Sequence, residues 1–560
     1  MGRGLRIGHA AGNAYSLTAG QGALALTGQA ATLAYSGAVD DPVVHYTNIV
    51  SGPNTGGEDN LGSYLTIIGR NFGASEGDVT VGGGSVATIY SWTDTRIAVR
   101  IGPSAATGAI VVERADAATA TAPEDFTVRS GRFFYVSLTG NNGTGAVNDP
   151  SLPFRTPNYI FKNGTSGFMQ PGDFVIMRGG EYILDSGSNG TANGVSFNSF
   201  VRANEFSGTD GYPLTWMAHN NEAVTVRLDA ATYVFSNGSS DFYHDYVVSG
   251  FQIKINTLAD NITAIGIGGL APGAVNCDIS GGALVDVAPR MDRIRVSEID
   301  IDGQGAFGQY TSNPGANTFI VGHSADVKVY GVEIHDFTTS GDPSPSHIFY
   351  SGVTQRNVEY AYCKAYNIPK SRGVFQVAQD AAAGGACWGS LPTMQDITIR
   401  SCDIYNNGGQ AFVIDGGTGT VLIQDCLIHS TPRADDHRYE DIISARGSAD
   451  HLDLTIDRCT IKVDPGYAGT AGGIVGIGAV SGGYCPQSII MTNNVLYLEN
   501  GSEDDWTLAN GACGLGMMSS SGNVFYGKVL PSWAGTGDVV QDPDLDAAYV
   551  SSIAGKGITR

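Results

Sequence analysis

Ten short stretches of this chain can be laid on one another so that one position recurs about every 30 residues. They run Tyr246–Phe251, Ala274–Cys277, Ile294–Ile299, Val327–Val332, Val358–Cys363, Ile397–Cys402, Val421–Cys426, Leu454–Cys459, Ile489–Asn494 and Met518–Asn523. Their last residues read Phe, Cys, Ile, Val, four Cys and two Asn. Steps of 22 to 39 residues between these anchors carry two or three short alternating strands each. That pattern specifies a solenoid whose coils stack and share one core. Stacked strands lie about 4.8 Å apart, so ten coils make a rod of roughly 50 Å. Identical positions stack inside such a coil. Cysteine suits the anchor column as a small apolar residue, and asparagine suits it by passing hydrogen bonds from amide to amide.

Composition agrees with an all-β chain. Glycine supplies 78 of 560 residues, twice the average share, and charged residues only 15%. Acidic residues outnumber basic ones 54 to 31, giving a formal charge of −23 with no basic block, which argues against nucleic acid as a partner. No apolar run reaches the roughly 18 residues that span a bilayer, so no membrane insertion is expected, and the start lacks the apolar core of a secretory signal. The eight cysteines include no Cys-x-x-Cys pair, which argues against zinc and favours small core residues over disulfides.

Before the solenoid lie two other units. Residues 1–40 contain alternating Leu24, Leu26, Leu33 and Tyr35 between Gly/Gln/Thr turns, the pattern of a β-hairpin over 14–36. This segment resembles stretches of bacteriophage tail and other structural proteins. Residues 41–130 hold Tyr64–Gly73, Asp78–Val81, Ser91–Val99, Thr107–Val112 and Asp125–Val128, short strands between Gly and Asp turns that write a small β-sandwich. The order of these motifs resembles an IPT/TIG domain, an immunoglobulin-like module that serves as a spacer or adhesion unit. Residues 131–560 open with Arg132–Asn141, Leu152–Thr156 and Pro171–Tyr182, and resemble right-handed parallel β-helix proteins, a group of polysaccharide lyases, glycosidases and phage tailspikes. The expected fold is therefore all-β, an IPT/TIG sandwich followed by a right-handed parallel β-helix.

On a solenoid, chemistry belongs to outward strand faces and to the longest insertions. One insertion carries Lys370 and Arg372 and, past a strand, Trp388. Another carries Arg433, Asp435, Asp436, His437, Arg438, Glu440 and Asp441. Two carboxylates about 5 to 10 Å apart suffice for glycoside hydrolysis, and Asp415, Asp435, Asp436 and Glu440 with His437 are the catalytic candidates. A lyase needs a base and a cation against a uronate, for which Lys370, Arg372, His437 and Arg446 are present. Lys370, Arg372, Trp388, Arg433 and Arg438 are the glycan-binding candidates, with Trp506 a further aromatic platform. The plainer reading of the polar stretch is a solvated loop laced by its own ion pairs, and that of His347 is structural. Asp300, Asp302, Asp336 and Asp342 lack a calcium-loop motif and read as turn caps; Ca2+ is the one ion they would suit, and no cofactor or metal is otherwise expected.

The phage-like segment, the absent export signal and the β-helix together lead to an expected virion spike or fibre. It would be a homotrimer held to other virion proteins through its N-terminal segment and would bind host surface polysaccharide. The alternatives are a polysaccharide depolymerase on the same β-helix and a bacterial surface adhesin.

Overall fold

The computed structural model describes residues 5–8, 14–17, 40–162, 169–184, 191–192, 195–196, 201–202, 207–229, 234–236, 243–256, 264–267, 291–304, 317–337, 347–368, 373–378, 394–407, 410–415, 419–429, 442–447, 452–463, 475–479, 485–498, 507–509, 513, 515–527 and 529–558. At the start, Leu5–Gly8 pairs antiparallel with Ala14–Leu17. The hairpin expected over 14–36 thus begins as the second strand of an earlier one, and 18–39 lie outside the described residues.

Val43–Thr47, Tyr64–Arg70, Arg96–Arg100 and Thr88–Trp92 form one antiparallel sheet, and Thr119–Thr121, Ile110–Glu113, Asp78–Val81 and Gly84–Ser85 a second. Alternate residues point inward, so Leu65, Ile67, Ile97 and Val99 of the first meet Val79, Val81, Ile110 and Val112 of the second in one buried core, closed by Phe72 and Phe126. This is the expected Ig-like sandwich.

Beyond it the chain winds into a right-handed parallel β-helix with three rows of strands. The first row runs from Phe133–Val136 through Met291–Ser297, Met394–Arg400 and Leu452–Asp457 to Met518–Ser521. The second is a twelve-stranded sheet from Gly180–Leu184 to Val539–Val540. The third contains Gly373–Ala378, Gln410–Asp415, Ile443–Gly447 and Val475–Ala479. In two coils, Asn317–Tyr330 and His347–Ala361, the third row runs into the first without a break.

Only two residues separate the first row from the second, and there the anchor column sits. The residue before each anchor turns the chain through the left-handed region, with φ of 51° at Glu298, 57° at Tyr362, 52° at Ser401, 53° at Asp425, 50° at Arg458 and 57° at Asn493. Cys363, Cys402, Cys426 and Cys459 then stack in the interior, each 1% exposed or less. Burial pushes the Cys402 and Cys459 thiols up, keeping them protonated. The stack continues as the expected amide ladder: Asn494 Nδ2 donates to Asn523 Oδ1 at 2.9 Å, and Asn523 Nδ2 to Asp538 Oδ1 at 3.0 Å. Inward columns fill the rest, as in Phe319, Phe349, Phe375 and Phe412, whose centroids lie 5.7, 4.5 and 5.7 Å apart.

Cys485 and Cys513 depart from the expectation for cysteines, forming a disulfide. Neither occupies the anchor column. They stand ahead of strands on neighbouring coils, 28 residues apart and so about one period, which brings the two approaches side by side.

A second departure concerns the sandwich, which is packed on the β-helix rather than standing off as a spacer. Phe133, Tyr135, Phe174, Ile176, Met217 and Val247, outward residues of the first row, join the sandwich core. Further along, Arg295 Nη1 meets Glu124 Oε2 at 2.8 Å, Ser297 Oγ donates to Asn48 O at 3.2 Å, and Arg96 pairs with Glu298 at 3.0 Å. The Tyr46 ring lies against Tyr330 and Tyr362, while His45 stacks on Tyr362 at 4.6 Å. Gly331 belongs to this contact, because a Cβ there would meet the Tyr46 hydroxyl at 1.8 Å. The first row is thereby covered over several coils, and the outward faces left to the solenoid are those of the second and third rows.

Candidate functional site

In the third row, one register column reads Gly322, Gly352, Ala378, Asp415, Arg446 and Gly478. Asp415 and Arg446 are thus adjacent, about 4.8 Å apart along the rod, in a column otherwise occupied by glycine and alanine. The structure describes the backbone of Asp415 and Arg446 and not their side chains. The preceding residues Ile414 and Ala445 are buried at 0%, which fixes both strands in the solenoid.

Connectivity sorts the other candidates around this row. The segment with Trp388 leaves from Ala378, the register partner of Asp415, and so begins at the Asp415 edge. Lys370 and Arg372 precede Gly373, and the polar stretch from Arg433 to Asp441 joins His429 to Ile442; both therefore enter at the opposite edge, about 10 to 15 Å away across the strands. Lys370, Arg372, Trp388, Arg433, Asp435, Asp436, His437, Arg438, Glu440, Asp441, Asp342 and Trp506 lie outside the described residues. His347 opens its strand in register with Asn317 and Gly373, at the Gly373 edge. One coil on, Gln410 is 1% exposed and, among the described residues, hydrogen-bonds through neither amide atom. A buried amide so placed carries an uncompensated desolvation cost, a feature that sites for polar ligands share. The sequence offered no sign of it, since a glutamine opening a strand is unremarkable.

The second row carries a different cluster. His335 Nε2 lies 2.8 Å from Asp300 Oδ1, and His335 Nδ1 lies 2.8 Å from Asp336 Oδ2. Asp302, His335 and Asp336 form a group whose ligand atoms lie within 4.8 Å of one another. The hydrogen bond to Asp300, joined by that to Asp336 and opposed by burial, raises His335 to about 9. It is therefore an imidazolium at neutral pH and itself supplies the positive charge between the carboxylates. The turn-capping expectation is met at Asp302, whose Oδ1 accepts from Gln304 N at 2.7 Å. Asp336 begins a polar ladder instead, taking Asn367 Nδ2 at 2.7 Å, while Asn367 Oδ1 takes Asn406 Nδ2 at 2.6 Å.

His335 was not among the sequence candidates, although it sits three residues after the anchor Val332. The same offset gives Tyr366, Tyr405, His429, Lys462, Tyr497 and Tyr526, one outward column of the second row. The signal was present in the repeat and needed only the column three places beyond the one that defined it.

Residues 47–128 match the IPT/TIG domain family. A cyclomaltodextrin glucanotransferase of Bacillus licheniformis is 32% identical over 148 residues, 26% of this chain and 19% of that protein. Another, from Bacillus sp. (strain 17-1), is 35% identical over 143 residues, 24% of this chain and 19% of that protein. The chain thus spans about a fifth of the length of these relatives. Among solved structures, pectate lyase Pel9A is similar with a TM-score of 0.42 and 13% identity, over 75% of this chain and 83% of that one. A rhamnogalacturonan lyase gives 0.39 and 13%, over 76% and 96%. A glycoside hydrolase gives 0.38 and 10%, over 77% and 99%. These neighbours are β-helix proteins, and the likeness is one of fold.

Proposed function

We propose that this protein is a polysaccharide-active enzyme, a lyase or glycoside hydrolase, that binds its polymer across the third row and cleaves it at Asp415 and Arg446. The observation that carries the reading is the column itself, one acidic and one basic residue on consecutive coils flanked by glycine and alanine. In a lyase, Arg446 neutralises the uronate carboxylate so that the neighbouring carbon acid can lose its proton. In a hydrolase, Asp415 is one of two carboxylates, and Asp435, Asp436 and Glu440 are the candidates for the second. Trp388, Lys370, Arg372, Arg433 and Arg438 are the residues to vary for polymer binding, Trp388 as a stacking ring.

The test is incubation of purified protein with a panel of bacterial surface polysaccharides, following bound polymer, released oligosaccharide and the ultraviolet absorbance of unsaturated uronate. Fragments with that absorbance make it a lyase and fragments without it a hydrolase, and Asp415→Asn and Arg446→Ala should each lower release at least a hundredfold. Full release by both variants refutes the assignment of the site. Binding without fragments favours a second reading, a homotrimeric virion spike that adsorbs to host polysaccharide, which rests on residues 14–36; a monomeric mass in solution counts against that.

A further inference from the structure

The outward column of the second row is a ladder of rings with one gap. His335 and Tyr366 stack with centroids 4.8 Å apart and planes 3° from parallel, Tyr366 and Tyr405 at 4.8 Å and 2°, and Tyr405 and His429 at 5.1 Å and 14°. Beyond the gap, Tyr497 and Tyr526 stack at 4.5 Å. In the gap the coil offers Lys462 in place of a ring. A ring from elsewhere fills the space: Tyr549, in the segment that follows the last coil, lies 4.2 Å from His429, and Lys462 Nζ stands 5.5 Å from the centroids of both Tyr549 and Tyr497.

Two features mark Tyr549 as held by this slot. Its φ is +61°, a conformation strained for a bulky residue, so the ring is not placed there by backbone preference. Its turn is also self-contained. Tyr549 N donates to Asp546 O at 3.0 Å, and Asp546 Oδ1 takes the amides of Ala548 and Val550 at 2.8 and 2.9 Å. The segment is attached to the coils on either side of this turn: before it Gln541 N donates to Phe525 O at 3.0 Å, and after it Gly557 N donates to Asn493 O at 2.7 Å, Lys556 Nζ to Asn493 Oδ1 at 2.8 Å and Ile558 N to Thr460 Oγ1 at 3.1 Å. The turn can lift from the slot while that attachment stays made.

We propose that the slot between His429 and Lys462 is a sugar subsite, separate from the third-row site, which Tyr549 closes by occupying the place of a pyranose ring. The C–H face of a pyranose matches an aromatic face in size and stacks on the His429 imidazole, which Asp403 holds at 3.5 Å from Nε2. Lys462 then donates to the ring's hydroxyls from the other side. The inference rests on the proposed function only for the choice of a sugar as ligand, and not on cleavage or on where it occurs.

The test is Tyr549→Gly, because glycine adopts the left-handed turn without strain and keeps the rest of the segment in place. Binding of maltohexaose and of hexagalacturonic acid is measured by calorimetry on the full chain. Removing the internal competitor should tighten one of the two by about tenfold, and adding His429→Ala should abolish that gain. Asp415→Asn should leave the gain intact, separating this site from the proposed reaction centre. No gain with either sugar, or a gain that survives His429→Ala, overturns the subsite. If the gain is present but no polymer is cleaved, the subsite stands and the enzymatic reading falls.

Discussion

Replacing Cys485 and Cys513 together by alanine removes the disulfide between the approaches to two neighbouring coils. Loop closure sets the scale: a cross-link spanning 28 residues lowers the entropy of the opened chain by about 12 cal/mol/K, or about 3.6 kcal/mol at 25 °C. A solenoid opens from its ends, so the loss falls on the last coils and not on the whole molecule. The population with those coils open should rise by two to three orders of magnitude. Amide exchange read by mass spectrometry over 485–527 should accelerate accordingly, while exchange over 291–335 stays unchanged. A reducing agent should have the same effect on the unmodified protein and none on the double variant. Equal exchange in all three samples, or alkylation of both cysteines in oxidised, unreduced protein, refutes the reasoning. The buried thiols provide a control, since Cys402→Ala touches the same kind of atom without removing a cross-link.

Acid should loosen the sandwich from the rod. Burial, with Arg70 and Arg400 nearby, lowers His45 from 6.5 to about 4, so the docked state favours the neutral ring; the His45 contribution to docking is at full strength above about pH 6.5, weakens as pH falls toward 4 and changes no further below that, where protonation of Glu124, lowered against its burial by Arg295 and Lys328, weakens docking in turn. The slope is at most about 1.4 kcal/mol per pH unit and less for a ring that is partly exposed; limited proteolysis between pH 7 and 4 should show it, and His45→Phe should flatten it. Asn523→Leu leaves the Met491 carbonyl and the Asn494 amide without that buried partner, while Asp538 keeps the Asn523 N–H, at a cost of about 2 to 4 kcal/mol, read as a lower melting temperature of the C-terminal coils. An unchanged melting temperature would mean that the ladder contributes nothing to holding those coils.

The repeat made the coils legible because the anchor occurs at the one place where every coil has the same length, the two-residue turn with its left-handed first member. Between the other rows the segments vary in length, so the third row had to be placed by coordinates, and with it the pairing of Asp415 with Arg446. Charge density drew the sequence reading to Arg433–Asp441, whereas position in a column is what groups residues on a solenoid. The disulfide escaped for the same reason: Cys485 and Cys513 are one period apart, but they are out of phase with the cysteines that define the repeat. Packing of the sandwich could not be read at all, because the outward residues it covers, such as Phe174 and Met217, look like ordinary core residues in a linear sequence.

That packing alters what the outer surface can do. Arg295, 6% exposed, is held by Glu124 at 2.8 Å and by the Thr47 carbonyl at 2.6 Å, so charges that would otherwise face a polymer are spent on the sandwich. Glu124 also pairs with Lys328, and Arg96 is matched with Glu298. The sandwich thus occupies basic groups on the first row and covers that face over several coils. The outward column of the second row holds mostly rings, with His335 already paired to carboxylates; on the third row one register column joins glycine and alanine positions with Asp415 and Arg446. A face of rings holds sugars without reacting with them, and a face of small residues around one acid and one base admits a polymer to chemistry. On the proposed reading, holding and cleaving divide between the second and third rows because the sandwich covers the first.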